Sequence, residues 1–287
     1  VGWRKRLRGQ AVVVTGGSRG LGLALAREFA RCGARVALVA RNLGELEGAW
    51  ARLVAGGAVA ENVVTLAADV GVREEAERAM AAVAERWGRV DVLVNNAGIL
   101  QVGPVEEQGV EEFEETARVN YLAMVYTTMA VLPGMLERGS GRIVNVASMG
   151  GCVAVPHMLP YTASKFAAVG FSRGLHAEVR GRGVRVTTVT PGMMRTGSLP
   201  RVRTVGDEVA ERGWFERGAE LPLLSVSAER AARRIVRAAA RGRAETSVGM
   251  PAFLLTRVAG LAPGLAARVA AWVNDYLLPR SKSGRGE

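Results

Sequence analysis

Tyr161 and Lys165 stand four residues apart in the stretch PYTASKFAAVGF, and Ser148 precedes the tyrosine by thirteen. Only three of the 38 basic residues are lysines, and the other two, Lys5 and Lys282, lie near the ends. A compact ammonium on a flexible stem does work that a planar guanidinium does not. On a helix, residues four apart share a face one turn from each other. A free phenol titrates near ~10 and is a poor base at neutral pH. A neighbouring ammonium favours the phenolate, so the pair can give or take a proton. Lowering a phenol by about three units asks for roughly 4 kcal/mol. A serine hydroxyl at a strand end can hold a substrate oxygen against the phenol. Each residue alone also has a plainer use, the tyrosine in packing and the serine as a turn or cap.

A second group of residues suits phosphate. VVVTGGSRGLGLAL sets Gly16, Gly20 and Gly22 between an apolar run and a helical pattern. Such a turn lets backbone N–H groups approach an anion at a helix N-terminus. The spacing is G-x-x-x-G-x-G rather than G-x-G-x-x-G, and the lysine-bearing loop of nucleoside triphosphatases is absent. At the end of the second apolar run, LVARN carries Ala40 where a carboxylate would meet free ribose hydroxyls. Arg41 follows, and Arg19 lies in the glycine turn. Two arginines able to converge on a 2′-phosphate favour NADPH over NADH; the plainer alternative is solvated surface charge.

The elements that must position these residues alternate. Residues 11–16, 35–40, 62–70, 90–98, 141–148 and 184–192 read as apolar strands. Helical patterns over 21–33, 44–54, 72–88, 109–136 and 161–180 separate them. Strands apolar throughout, alternating with helices, predict a parallel sheet covered on both faces, and right-handed crossovers make it doubly wound. The fold class expected is therefore α/β, as a single domain over residues 1–287. Beyond Pro191 the pattern loosens into a substrate-loop region over 197–227, with a helix around Trp214. A helix over 228–241 and a short edge strand, ETSVG, follow. The last stretch, 250–287, is an apolar C-terminal extension interrupted by Pro263 and Gly264. Its segment 251–279 is compatible with packing on the domain, dimerising, or lying on a membrane surface as a peripheral contact.

The net charge of +11 invites a nucleic-acid reading. It is spread thinly: residues 1–194 carry 22 basic and 18 acidic side chains, residues 195–287 carry 16 and 9. No dense basic run, zinc-ligand spacing or aromatic–basic signature accompanies it, so no nucleic-acid partner and no metal are expected. Arg230, Arg234, Arg237 and Arg241 share one helix face; it is either solvated or meets the phosphate of an acyl carrier or a lipid. Two cysteines, Cys32 and Cys152, give no disulfide framework, which fits a reducing, cytoplasmic setting, with or without membrane association. His157 and His176 lack a partner pattern for catalysis, and His157 is at most a pocket wall. The sequence opens at Val1 rather than Met, which leaves removal of an upstream segment open.

With TGGSRGLG, NNAG (Asn95–Gly98), Ser148 and YTASK in hand, the chain resembles the short-chain dehydrogenase/reductase family over roughly residues 9–197. The resemblance implies a Rossmann-type sheet of strand order 3-2-1-4-5-6-7. It implies a catalytic set of Asn120, Ser148, Tyr161 and Lys165, with Asn120 anchoring a water that relays protons through the lysine. It also implies that NADP(H) is held along Gly16, Ser18, Arg19, Gly20, Leu21 and Gly22, then Arg41 and Asn42, then Asp69 and Val70 at the adenine. Asn96, Ala97 and Gly98, the pair Tyr161 and Lys165, and Pro191, Gly192 and Thr196 complete that path. Met149, Cys152, Val153, Met158 and Met193 should line the substrate pocket, and their soft apolar character favours a hydrophobic carbonyl or alcohol. The expected reaction reduces a carbonyl, hydride coming from the nicotinamide and the proton from Tyr161, or runs in reverse. A 3-oxoacyl thioester and a steroid or long-chain lipid are both open as substrates. A scaffold or sensor that binds NADP(H) without turnover is the alternative of another class. Relatives imply a homodimer or homotetramer.

Overall fold

Seven runs rich in valine, alanine and leucine form one parallel sheet, because strands covered on both faces need apolar side chains on both. The computed structural model describes residues 2–195, 202–220 and 225–279. The strands are β1 (Ala11–Thr15), β2 (Arg35–Ala40), β3 (Val63–Ala67), β4 (Val92–Asn95), β5 (Gly141–Val146), β6 (Val184–Pro191) and β7 (Glu245–Val248). Their order across the sheet is 3-2-1-4-5-6-7, as the resemblance implies, and every pairing is parallel. Val14 of β1 sits between Leu38 of β2 and Val94 of β4. The chain direction across the sheet reverses between β1 and β4, which opens a crevice at their carboxyl ends.

Helices close both faces. Val12 and Val14 point into one layer with α1 (Gly20–Arg31), α2 (Leu43–Ala55) and α7 (Ala228–Ala240). Val13 points into the other, with α3 (Arg73–Trp87), α4 (Val110–Glu137) and α5 (Leu159–Val179). This is the two-residue alternation of a strand dividing one sequence between two cores. A further helix, α6 (Glu208–Glu220), lies over the crevice end.

Two boundaries differ from the sequence reading in ways that matter for the site. The fourth strand ends at Asn95, not Gly98, because Asn96 turns back to bond the end of β1. The helix α4 is interrupted over Arg118–Leu122 by a π-helical turn, a local widening that often marks functional positions. Among the described residues, α4 is also the one helix long and apolar enough to cross a bilayer, and half of its most apolar window is buried.

After β7 the chain forms α8 (Met250–Leu261) and α9 (Pro263–Leu277), broken at Ala262 and Pro263. Only Ala252 and Ala259 of this hairpin are buried. Leu265, Val269, Trp272 and Tyr276 stand in one exposed row at helical spacing on α9, and Leu254 and Leu261 are exposed on α8.

Candidate active site

The crevice begins where β1 gives way to α1. Gly16 and Gly20 adopt φ of +62° and +53°, a left-handed conformation that glycine takes without strain. A Cβ on Gly22 would stand 2.0 Å from the Gly16 carbonyl oxygen, so turn and helix could not pack this closely around any other residue. Among the described residues no side chain caps the N-terminus of α1, whose first residues Gly20, Leu21 and Gly22 line the cleft. The Thr15 hydroxyl accepts from the backbone N–H groups of Asn96 (2.9 Å) and Ala97 (3.0 Å). Asn96 Nδ2 donates to the Thr15 and Gly16 carbonyls. The ends of β1 and β4 are thereby locked around one cleft of about 620 Å³.

Halfway along it the candidate chemical groups meet. Ser148 follows β5; its Oγ accepts from the Gly150 N–H (3.0 Å), and both this hydroxyl and the Tyr161 ring flank Gly150. Tyr161 lies in the first turn of α5, which starts two residues earlier than expected, with Pro160 at a position where its missing N–H costs nothing. Lys165, one turn on, is buried; its Nζ donates to the Val146 carbonyl (3.2 Å) and lies 5.7 Å from the Tyr161 ring centre. Asn120, in the π turn, accepts from the Ile99 N–H (2.8 Å) through Oδ1. Its Nδ2 donates to the Ile99 carbonyl and to Ser164 Oγ (3.0 Å each). Asn120 therefore stands behind the cleft wall, holding the strand of chain that Gly98 opens toward Lys165.

Burial governs the titration of this group. Desolvation pushes the Tyr161 phenol upward, the neighbouring Ser148 hydroxyl offsetting part of it. Desolvation also pulls Lys165 down to about 8. The sequence reading had the ammonium lowering the phenol, but the lysine reaches under the ring toward Val146 rather than to the hydroxyl. Below these residues runs a polar network that the sequence reading missed. Asn95 bonds Asn145 (2.9 Å), Thr127 (2.6 Å) and Thr128 (3.0 Å), and Asn145 passes on to Ser172 and Thr188. All are buried, and each polar group satisfied here avoids a penalty of about 1–3 kcal/mol.

At the far end of the cleft, Arg19 and Arg41 both line the wall, as do Ser18, Leu21, Asn42, Asp69 and Val70. Arg19 is held by Glu45 Oε1 (3.3 Å), and the other oxygen of Glu45 accepts from Ser18 Oγ (3.0 Å). Glu45, in the first turn of α2, was not singled out from the sequence; only its position three residues beyond the helix-capping Asn42 hinted at it. Asp69 is bonded by Arg118 (3.1 Å) and by the Gly71 N–H.

Pro191, Gly192 and Met193 reach the cleft, as do Met149 and Met158; Thr196 lies outside the described residues. Cys152 and Val153 do not line it. A tight 3₁₀ turn over Met149–Gly151 carries the chain away from the cleft, and Cys152 packs instead beside Met124, Ala168 and Val169. Val155, Leu100, Met194, Val202, Trp214 and Phe215 supply the apolar wall. His157, rather than walling the pocket, is buried with a left-handed φ of +59°. Its Nδ1 lies 2.8 Å from Glu211 Oε1, and the Trp214 indole donates to Glu211 Oε2 (2.7 Å). That triad ties α6 to the loop before α5. Among the described residues no cluster of potential ligands could hold a metal.

The short chain dehydrogenase family profile matches residues 10–206. D-Threitol dehydrogenase of Mycolicibacterium smegmatis is 40% identical over 191 residues, 67% of this chain and 72% of the relative. A putative ketoacyl reductase of Streptomyces coelicolor is 40% identical over 196 residues, 68% and 74% of the two chains. Among solved structures, a short-chain dehydrogenase from Streptomyces avermitilis superposes with a TM-score of 0.78 at 29% identity, covering 93% of this chain and 97% of that one. A point variant of actinorhodin polyketide ketoreductase, solved with NADPH, gives 0.72 at 33% identity over 84% and 95%. The family match makes the protein an oxidoreductase of a class that uses a nicotinamide cofactor. The chain belongs to the short-chain dehydrogenase family.

Proposed function

We propose that the protein is an NADPH-dependent reductase of a hydrophobic carbonyl compound, or its reverse alcohol dehydrogenase, with Ser148, Tyr161 and Lys165 as its catalytic residues. The observation that carries this reading is the meeting of Ser148, Tyr161 and buried Lys165 on one stretch of the cleft, beside an apolar wall of Leu100, Val155, Met158, Trp214 and Phe215. The residues suit the cofactor: the α1 N-terminus would hold the diphosphate through N–H groups its N-cap residue leaves free, and Arg19 and Arg41, both on the cleft wall, would hold a 2′-phosphate. When bound, the cofactor supplies the hydride. Ser148 orients the substrate oxygen by donating a hydrogen bond to it. Tyr161, kept protonated by its burial, gives its proton to that oxygen as charge develops there. Lys165, on the cleft wall beside Gly98, would hold the cofactor's ribose hydroxyls through its ammonium. Leu100, Val155, Trp214 and Phe215 exclude water and favour an apolar substrate body.

A 3-oxoacyl thioester and a steroid or long-chain lipid both fit this wall. The relatives include a putative ketoacyl reductase of Streptomyces coelicolor and estradiol 17-beta-dehydrogenase 11 of Mus musculus. The test is NADPH consumption across a panel from small ketones through oxoacyl thioesters to steroids, with NADH and Tyr161→Phe as controls. Tight NADPH binding with no turnover on any member would favour the scaffold reading.

The reading extends to the C-terminal hairpin as a peripheral contact with a membrane surface. Its exposed row Leu265, Val269, Trp272 and Tyr276, with Leu254 and Leu261 also exposed on α8 and Arg257 and Arg268 close in sequence, has a composition suited to a headgroup boundary. Ala252 at its root touches Gly192 of the cleft, so apolar substrate would enter beside the lipid. Co-sedimentation with anionic liposomes should fall in Leu261→Glu/Val269→Glu. Equal sedimentation with a smaller assembly in solution would assign the row to a second copy instead.

A further inference from the structure

A second cavity, of about 520 Å³, lies toward the opposite ends of the strands from the cleft. It forms where the C-terminal end of α7 passes the start of β7, at the amino ends of the strands. Arg233, Arg234, Arg237, Arg241 and Arg243 line it. Among the described residues no carboxylate pairs with any of the five. The nearest acids in sequence face elsewhere. Glu245 is held by Arg173 through both oxygens (3.2 Å each), and Glu229, a turn ahead of Arg233, offers that arginine only its backbone carbonyl. The α7 C-terminus contributes roughly half a negative charge, far short of five positive ones.

Two further observations point inward to a ligand. Thr246 lines the cavity, is 95% buried by its 5% exposure, and its hydroxyl makes no hydrogen bond among the described residues. It lies on the same face of β7 as Val248, which packs with α7 in the core. Trp3, half-buried, supplies an aromatic wall, with the Arg4 guanidinium 5.4 Å from its ring centre. The positive field reaches beyond the cavity. Arg185 packs against Gly242, between two of the five arginines; half-buried Arg142 is lowered chiefly by desolvation, with Arg6 and Arg185 adding to it and Asp91 opposing.

We propose that this cavity is an anion site for a ligand carrying two adjacent phosphate groups, gripped by the guanidinium forks of α7 and Arg243 with Thr246 as an inner donor. Planar forks bind phosphate oxygens in pairs, and paired charge-assisted bonds are the strong ones. A single phosphate would leave most of the five arginines unmatched. The chemistry is shared by a soluble diphosphate and by a lipid phosphate cluster, so both sources are tested.

The full chain, first saturated with its nicotinamide cofactor so that the catalytic cleft is filled, is titrated calorimetrically with inorganic pyrophosphate at about 150 mM ionic strength, where weak surface attraction is screened. Orthophosphate is the single-phosphate control, and vesicles of phosphatidylcholine with and without phosphatidic acid are the lipid arm. Arg237→Gln/Arg241→Gln and Arg233→Gln/Arg234→Gln are compared with the parent, glutamine keeping part of each stem. The expected result is pyrophosphate binding that weakens at least ~10-fold in either variant, with turnover and melting temperature unchanged. Binding confined to phosphatidic acid vesicles, and lost in the same variants, identifies the lipid source. Failure of both arms, or binding undiminished in both variants, overturns the proposal.

Discussion

Glu45 occupies both of its carboxylate oxygens inside the cleft, one on Arg19 and the other on the Ser18 hydroxyl. Arg19 is thus held by an acid in the region proposed for a 2′-phosphate, and Arg41 beside it is exposed. The ion pair is 42% and 25% exposed on its two sides, so it is worth little to stability, ~0–1 kcal/mol. Its consequence is for selectivity. An acid near a ribose favours free hydroxyls, whereas an arginine favours the phosphate. Glu45→Gln should raise the NADPH-to-NADH ratio of kcat/KM by about tenfold, the equivalent of ~1.4 kcal/mol. Arg19→Ala should lower that ratio by at least as much. Kinetics with both cofactors on one substrate measure it, and an unchanged ratio in both variants would remove the arginine reading.

Tyr161→Phe deletes the proposed proton donor while leaving the ring that packs against Lys165. Turnover should fall ~10²–10⁴-fold with cofactor affinity unchanged, measured by quenching of protein fluorescence. Since burial raises the phenol, reduction should hold its rate across neutral pH. Oxidation, which needs the phenolate, should quicken as pH climbs toward the alkaline side. A reduction rate that collapses between pH 6 and about 8 would assign the proton to another group.

The legible parts of the molecule were those written as local pattern. Strand runs such as Val12–Val14 and Arg35–Ala40 declared a doubly wound sheet, because burial on both faces leaves no room for polar alternation. The glycine turn declared itself because a left-handed φ and close packing each restrict the residue. What stayed hidden depends on side chains meeting across long separations. Glu45 reaches Arg19 over 26 positions and Glu211 reaches His157 over 54, and neither pair shows a spacing rule. Cys152 was misplaced because a 3₁₀ turn rotates the chain within three residues, below the resolution of periodicity.

Asn120 holds the π turn open with three hydrogen bonds, two to Ile99 and one to Ser164. Asn120→Ala leaves the half-buried Ile99 N–H and carbonyl without these partners, at a cost of about 1 kcal/mol. Thermal unfolding should show the loss. Asn120→Asp, which keeps the acceptor for the Ile99 N–H, should recover part of it. Activity should fall further than stability alone explains, because Ile99 follows the Gly98 backbone that faces Lys165.

Lys165 gives a stability prediction with a definite sign. Its folded value, about 8, lies below the ordinary 10.5, so between these pH values the unfolded chain binds the proton that the folded chain has released. Stability should therefore rise as pH climbs from about 8 to 10.5, by at most ~3 kcal/mol, and show no such contribution below the window. Lys165→Met removes the buried charge and keeps the stem's volume. Free of cofactor, that variant should be at least as stable as the parent at pH 7 and should lose the rise. Urea midpoints at pH 7, 8, 9 and 10 decide the matter. A parent whose midpoint falls across that range while the variant's follows in parallel would show that Lys165 keeps its proton in the folded state.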